Sequence, residues 1–172
     1  MKGVPISMDN MFTLCFTRNL DLSHLNTENV TSMKSMFSFM PLTYHVIVSD
    51  KFDTSNVESM NRMFAYFGNI NGESKFGISE SGSSLDDLVF PAFKIKQNCV
   101  LAEMFANAHL PVDLSGWTTP DNDGTCGLNN CSDYSDMFYQ FAYYALPPIK
   151  IRDTDEPIGK PENLTITLPS SG

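Results

Sequence analysis

The pair Met-Phe recurs five times along the 172-residue chain, at Met11-Phe12, Met36-Phe37, Met63-Phe64, Met104-Phe105 and Met137-Phe138. Each pair is preceded, three positions before its methionine, by an apolar or aromatic residue: Met8, Met33, Met60, Leu101 and Tyr134. Self-similarity at this spacing constrains the fold more than any other feature, because units too small to bury a face alone must stack on their neighbours. The phenylalanines are separated by 25, 27, 41 and 33 residues, so the later units carry insertions. The second and third copies agree best. Leu25 to Phe37 lies over Phe52 to Phe64 with seven of thirteen positions identical.

Within each unit the apolar residues recur at helical intervals. Val30, Met33, Phe37 and Met40 fall at i, i+3, i+7 and i+10, and Val57, Met60, Phe64 and Phe67 repeat that spacing. Thr, Ser, Asn and Asp residues precede these runs, as expected where side chains accept hydrogen bonds from the free amides of a first helical turn. Short alternating segments follow most of the runs: Leu20-Asp21-Leu22-Ser23, His45-Val46-Ile47-Val48, Val112-Asp113-Leu114-Ser115 and Ile149-Lys150-Ile151. Alternation over such lengths predicts strands with one buried face. The expected fold is therefore α/β: a solenoid of about five irregular repeats, each a short helix plus a short parallel strand.

The length fits one domain over residues 1–172. Gly, Ser, Asn and acids dominate residues 68–87 and again 118–132, which read as insertion loops, with a short strand expected at Lys75-Phe76-Gly77-Ile78. Residues 152–172 begin rich in Pro and charge and continue into Leu164-Thr165-Ile166-Thr167-Leu168, a strand signal expected to cap the open sheet edge.

The net charge of −9, with 11 Lys and Arg against 20 Asp and Glu, argues against a nucleic-acid partner, since phosphate neutralisation needs clustered cations. No apolar run approaches the roughly 18 residues of a membrane span, so no membrane insertion is expected. Met1-Lys2-Gly3-Val4-Pro5 lacks the apolar core of a secretory signal. Periodicity already begins at Met8, which favours an excised segment or a specialised cap.

Chemistry of the enzymatic kind is not expected. His24, His45 and His109 stand apart from one another and from any Cys or acid at metal spacing, and no Gly-x-Ser-x-Gly, phosphate-binding loop or His-Glu-x-x-His occurs. Asp121-Asn122-Asp123-Gly124-Thr125 opens like a calcium loop but has Cys126 where glycine is needed and Ser132 where glutamate is needed. Neither a metal nor a cofactor is expected. Cys15 and Cys99 read as small buried hydrophobes, Cys126 and Cys131 as a local pair that could join under oxidising conditions, and Trp117 as a core residue.

Phe52-Asp53-Thr54-Ser55-Asn56-Val57-Glu58-Ser59-Met60-Asn61-Arg62-Met63-Phe64, with Leu20-Asp21-Leu22-Ser23 and Asn26 to Phe37, resembles the BspA-like, lipoprotein-associated repeat of bacterial surface proteins, a unit of about 26 residues. The match is specific over residues 20–67 and degenerate over 88–151. What the resemblance implies is a leucine-rich-repeat-like solenoid on the bacterial surface, as on adhesins and lipoproteins, and in some phages and mobile elements.

Two functions follow as expectations. The first is a non-enzymatic binding or adhesion module that engages a protein or glycan through the open face of its sheet, with Asp21, Ser23, Asp113, Ser115 and Lys150 pointing to solvent. The second is a structural protein of a phage or mobile element, decorating a capsid or tail as a subunit of a larger assembly, or an intracellular inhibitor of a host protein. An excised segment would lie at the cell surface or outside the cell; otherwise the chain is expected in the cytoplasm or on a virion.

Overall fold

The backbone of each Met-Phe unit hydrogen-bonds in two directions at once. In the second unit the N–H groups of Met33, Ser35, Phe37 and Phe39 donate to the carbonyls of Ser59, Asn61, Met63 and Ala65 in the third, each at 2.9 Å. The N–H groups between them close tight turns within the unit, Met36 onto Met33 at 3.2 Å and Ser38 onto Ser35 at 3.1 Å. The third unit bonds to the fourth in the same way, Met60, Arg62, Phe64 and Tyr66 donating to Val100, Ala102, Met104 and Ala106. Leu101, Glu103, Phe105 and Asn107 then donate to Asp133, Ser135, Met137 and Tyr139, while Met8, Asn10, Phe12 and Leu14 begin the series on Ser32, Lys34, Met36 and Ser38. Backbone groups that a folded interior must satisfy are thus divided between the turn and the neighbouring coil. This computed structural model describes residues 4–70, 74–80, 84–114, 116–121 and 127–140.

The expected helix in every repeat is overturned. Among the described residues there is no α-helix, only two 3-10 turns, Leu85–Asp87 and Gly127–Asn130. The physical reason is the backbone sign: Asn10, Leu14, Ser35, Phe39, Arg62, Tyr66, Glu103, Asn107, Asp136 and Gln140 all have φ between 46° and 60°. A right-handed helix has negative φ at every residue, and a left-handed non-glycine residue costs roughly 1–2 kcal/mol. Two such residues, four apart, in each unit turn the run into consecutive β-turns of the kind that needs φ > 0 at its third position. The inter-coil hydrogen bonds and the core that the turns bury offset that cost.

The strands are short. β1 (Ile6–Ser7) pairs with β3 (Val30–Ser32); β2 (Asn19–Asp21), β4 (His45–Val48) and β5 (Lys75–Ile78) form a three-stranded sheet; β6 (Cys99–Val100) pairs with β7 (Cys131–Asp133). All these pairings are parallel, with Leu20 beside Val46 and Val46 beside Phe76 in the three-stranded sheet. Single bridges from Ser32 to Ser59 and from Ser59 to Val100 join β3 to β6 across the third unit. In the segment Val112 to Ser115 the described residues hold only a single β-bridge position, the exposed Asp113, between the buried Val112 and Leu114. The expected strand Ile149-Lys150-Ile151 and the capping strand Leu164 to Leu168 lie outside the described residues. The expected α/β architecture thus gives way to stacked turns and short parallel strands.

Between these elements runs a ladder of phenylalanines. Phe12, Phe37, Phe64, Phe105 and Phe138 stack in sequence with centroids 5.5, 5.6, 5.4 and 5.4 Å apart and planes within 12° of parallel. Phe76 of β5 meets Phe64 edge-on at 4.8 Å, and Trp117 lies against Phe93 at 5.0 Å, both fully or nearly fully buried. Met33, Met36, Met40, Met60, Met63 and Met104 fill the remainder with no exposed surface. Flexible thioether chains suit a core whose layers differ in shape.

The polar signature of the repeat has a structural cause. Thr27 and Thr54 are buried, and their hydroxyls reach the next coil, Thr27 donating to the Asp53 carbonyl at 2.7 Å and Thr54 to the Lys94 carbonyl at 2.9 Å. Asn26 and Asp53 accept from the N–H two residues on, at Glu28 and Ser55, both at 2.9 Å. These local turns steer the chain from the strand side into the next run of turns.

Candidate functional site

Side chains at the left-handed turn positions project away from the core, so each unit contributes two of them to the outer surface. The position two before each core phenylalanine carries Asn10, Ser35, Arg62, Glu103 and Asp136, a polar row in which Arg62 donates twice to Glu103 at 2.9 Å. The position two after it carries Leu14, Phe39, Tyr66, Asn107 and Gln140. In the first three coils this second row is apolar. Phe39 and Tyr66 stack at 4.6 Å with their planes 10° apart, yet are 45% and 47% exposed, and Leu14 is more exposed still.

A second pair lies beside this row. Phe16 and Leu42 stand on the first two coils just after the outer row, where the Thr43 hydroxyl donates to the Thr17 carbonyl at 2.8 Å and ties the coils together. Phe16 and Leu42 are both exposed. Leu14, Phe39 and Tyr66 make the outer row apolar over three coils, ended in the fourth by Asn107, and Phe16 and Leu42 add exposed apolar side chains on the first two. Scattered single apolar residues on a surface are ordinary; an apolar row repeated coil by coil, with two of its rings stacked, is not.

The residues expected from strand alternation fare differently. Asp21 is exposed at the end of β2, but its carboxylate accepts the Ser23 N–H at 2.9 Å, and this backbone hydrogen bond holds its pKa below the usual carboxylate range. Ser23 is half-buried in the same turn. Asp113 is exposed and stands in an isolated β-bridge outside the β2–β4–β5 strands. Ser115 and Lys150 lie outside the described residues. Strand alternation does not find the apolar patch, although its signal is present in the sequence: on a helix, the position two after a core phenylalanine points to solvent, where Leu14, Phe39 and Tyr66 are out of place.

Other polar groupings are structural. His45 Nδ1 lies 2.9 Å from Asn19 Oδ1 and its Nε2 lies 3.6 Å from Asp86, while Lys75 Nζ donates to the Asp86 carbonyl. Together they tie three coils to the 3-10 turn at Leu85–Asp87. Burial pushes the Cys99 thiol up to about 12, which removes it as a nucleophile at neutral pH. Among the described residues no three His, Cys, Asp or Glu side chains converge as metal ligands do, and no helix is long and apolar enough to cross a membrane.

Residues 6–145 match a family described as "Mycoplasma protein of unknown function, DUF285". No curated protein and no solved structure matches the chain.

Proposed function

We propose that this chain, which belongs to the DUF285 family, is a non-enzymatic protein-binding module whose contact surface is the outer patch Leu14, Phe16, Phe39, Leu42 and Tyr66. The observation that carries the reading is the stacked Phe39–Tyr66 pair left at the surface at 4.6 Å. Large amphipathic rings held rigid by their neighbours lose little freedom on contact and supply the area from which binding hot spots are built.

The ring geometry favours protein over glycan. A sugar stacks on an open aromatic face. Here the facing sides of Phe39 and Tyr66 are occupied by each other, and the exposed remainder of the stacked pair suits apolar and aromatic side chains. The resemblance of residues 20–67 to BspA-like repeats supports a place on the bacterial surface and an adhesive role for the contact.

The test is a double substitution, Phe39→Asn with Tyr66→Asn, which installs the residue the same row already carries at Asn107 and which tolerates the left-handed backbone. The wild-type chain, immobilised, is expected to capture a defined bacterial-surface or host protein, and the variant to lose it while its thermal unfolding stays within a few degrees of wild type. Equal capture by the variant refutes the assignment, as does saturable binding to a glycan array that survives the substitutions. Light scattering on both forms distinguishes a foreign partner from self-association through the same patch.

A further inference from the structure

Cys99 and Cys131 are far apart in sequence but direct partners in the parallel pairing of β6 with β7. Hydrogen bonds on both sides hold that pairing. The Asn98 N–H donates to the Asn130 carbonyl at 2.8 Å, the Leu101 N–H to the Asp133 carbonyl at 2.7 Å, and the Ser132 hydroxyl to the Asn98 carbonyl at 2.9 Å. Neighbouring strands lie about 4.7–4.9 Å apart, and residues directly opposite share a face. Here that face is the core: Cys99 is fully buried in it, and the half-buried Cys131 packs against it. The strand spacing falls within the roughly 4.4–6.8 Å between Cα atoms that a disulfide spans. The two sulfurs are not joined in this structure. That of Cys99 lies 4.0 Å from the Val100 carbonyl, and rotation about the Cα–Cβ bond is the movement that redirects it. Sequence spacing alone suggests Cys126 as the partner of Cys131, but Cys126 lies outside the described residues, whereas the ladder sets Cys99 directly alongside.

We propose that Cys99 and Cys131 form a dithiol site that closes to an inter-coil disulfide on reaction with a small-molecule disulfide such as oxidised glutathione. The half-buried Cys131 is the thiol that solvent reaches. Its thiolate attacks one sulfur of the reagent; a mixed disulfide forms, the reagent's S–S bond breaks, and one glutathione leaves, taking up the proton that Cys131 gave up. The Cys99 sulfur then attacks the Cys131 sulfur. The bond between the protein sulfurs forms, the bond to the second glutathione breaks, and that molecule leaves as a thiol with the Cys99 proton. Two electrons pass from the protein pair to the reagent, which ends as two thiols. Burial, which pushes the Cys99 thiol up to about 12, shields it from dissolved reagents. It does not shield it from a sulfur held beside it, since fixed proximity raises the effective concentration of an aligned pair by many orders of magnitude. The closed bond ties the fourth coil to the fifth, on the same coils whose Phe105 and Phe138 stack at 5.4 Å. An oxidising exterior keeps such a bond closed and a reducing cytoplasm keeps it open.

This site is independent of the outer patch. The test incubates the full native chain with oxidised glutathione at about pH 8, quenches with acid, alkylates the remaining thiols after unfolding, and maps the unreduced peptides by mass spectrometry. The expected product is monomeric protein in which the peptides of Cys99 and Cys131 are joined. The same product is expected in the Cys126→Ser variant, and the reduced chain is expected to melt several degrees below the joined one. Because the mapping is made on the wild-type chain, its result does not depend on the folding of a variant. A Cys126–Cys131 pair in place of the expected one overturns the inference. So does a reaction that stops at glutathione on Cys131 with Cys99 still open to alkylation, or a Cys99–Cys131 bond that forms only in urea. A joined pair that fails to raise Tm would refute the reading that the ladder already holds the two residues in place.

Discussion

Replacing Phe64 by alanine is expected to cost far more stability than the same replacement at Phe12, although both rings belong to one ladder. Phe64 is fully buried between Phe37 at 5.6 Å and Phe105 at 5.4 Å, and Phe76 and Phe67 meet it edge-on at 4.8 and 5.7 Å. A Phe→Ala change in such a packed site costs about 3–5 kcal/mol, through lost transfer energy and the cavity left behind. With four close rings losing a partner, the upper part of that range is expected. Phe12 is half-buried and, among the described residues, stacks on Phe37 alone. Half the burial of a phenylalanine and one ring pair amount to about 2 kcal/mol, and solvent fills the space in place of a cavity. Urea denaturation followed by circular dichroism, with linear extrapolation and a check that the slope is unchanged, measures both. The expected gap is about 2–3 kcal/mol, or about 4–12 °C in Tm for a chain of this size. Equal losses, or a larger loss at Phe12, would refute the reading that Phe64 is packed between two stacked rings and Phe12 against one.

Two further outcomes test the backbone and the buried thiol. Ser35 has φ of 54° and Lys34, its neighbour, does not share that sign; Ser35→Gly is therefore expected to be neutral or stabilising by up to about 1 kcal/mol, whereas Lys34→Gly is expected to cost about 0.5–1 kcal/mol. Similar losses at both positions in thermal melts would mean that the run is helical after all. Cys99, fully buried with its pKa raised from 9.0 to about 12, is expected to resist iodoacetamide at pH 8 in the native chain while the half-exposed Cys15 reacts, as peptide mapping would show. The folded state holds the thiol proton that the unfolded state releases, so stability is expected to fall as pH rises from about 9 towards 12, and Cys99→Ala to flatten that part of the curve. A rapid native reaction, or an unchanged pH profile in the variant, would contradict the burial.

Much of the core is legible in the sequence alone. The alternation at His45-Val46-Ile47-Val48 marks β4, because a strand with one buried face leaves a period of two in its residues, and a short strand is also expected where β5 lies, at Lys75-Phe76-Gly77-Ile78. The consecutive turns are not legible, because they imitate a helix. Burial at Met33, Met36, Phe37 and Met40 satisfies i, i+3, i+4 and i+7, and over eight residues that set is common to a helix and to consecutive four-residue turns. What separates the two is the sign of φ, and the side chains at those positions scarcely advertise it. Asn10, Asn107 and Asp136 are residue types that enter the left-handed region readily, but Leu14, Phe39, Arg62 and Tyr66 are not, and no glycine marks the spacing. Hydrogen bonds to the next coil hold them there, and a partner 25 to 41 residues away in sequence leaves no local trace. Reading the runs as helices directs attention to a sheet face at Asp21, Ser23 and Asp113, while the outward apolar residues Leu14, Phe39 and Tyr66 stand on the turns.

The unequal repeat lengths point to the same surface. Twenty-five residues separate Phe12 from Phe37 and forty-one separate Phe64 from Phe105, yet the ring spacings are 5.5 and 5.4 Å. The extra chain between Phe64 and Phe105 leaves the ladder after Phe67, forms β5 and the 3-10 turn at Leu85–Asp87, and returns at β6 without disturbing the hydrogen bonds from Met60, Arg62, Phe64 and Tyr66 to the next coil. Insertions are thus absorbed on the strand side, and the turn side keeps one residue per coil in each outer row whatever the length of the unit. A row with fixed spacing and free side-chain identity is a surface on which specificity can be set coil by coil. Leu14, Phe39 and Tyr66 make that row apolar in three coils, and Asn107 and Gln140 make it polar in two. The boundary between Tyr66 and Asn107, with the Arg62–Glu103 pair beside it, is where a bound partner would pass from apolar contact to solvent.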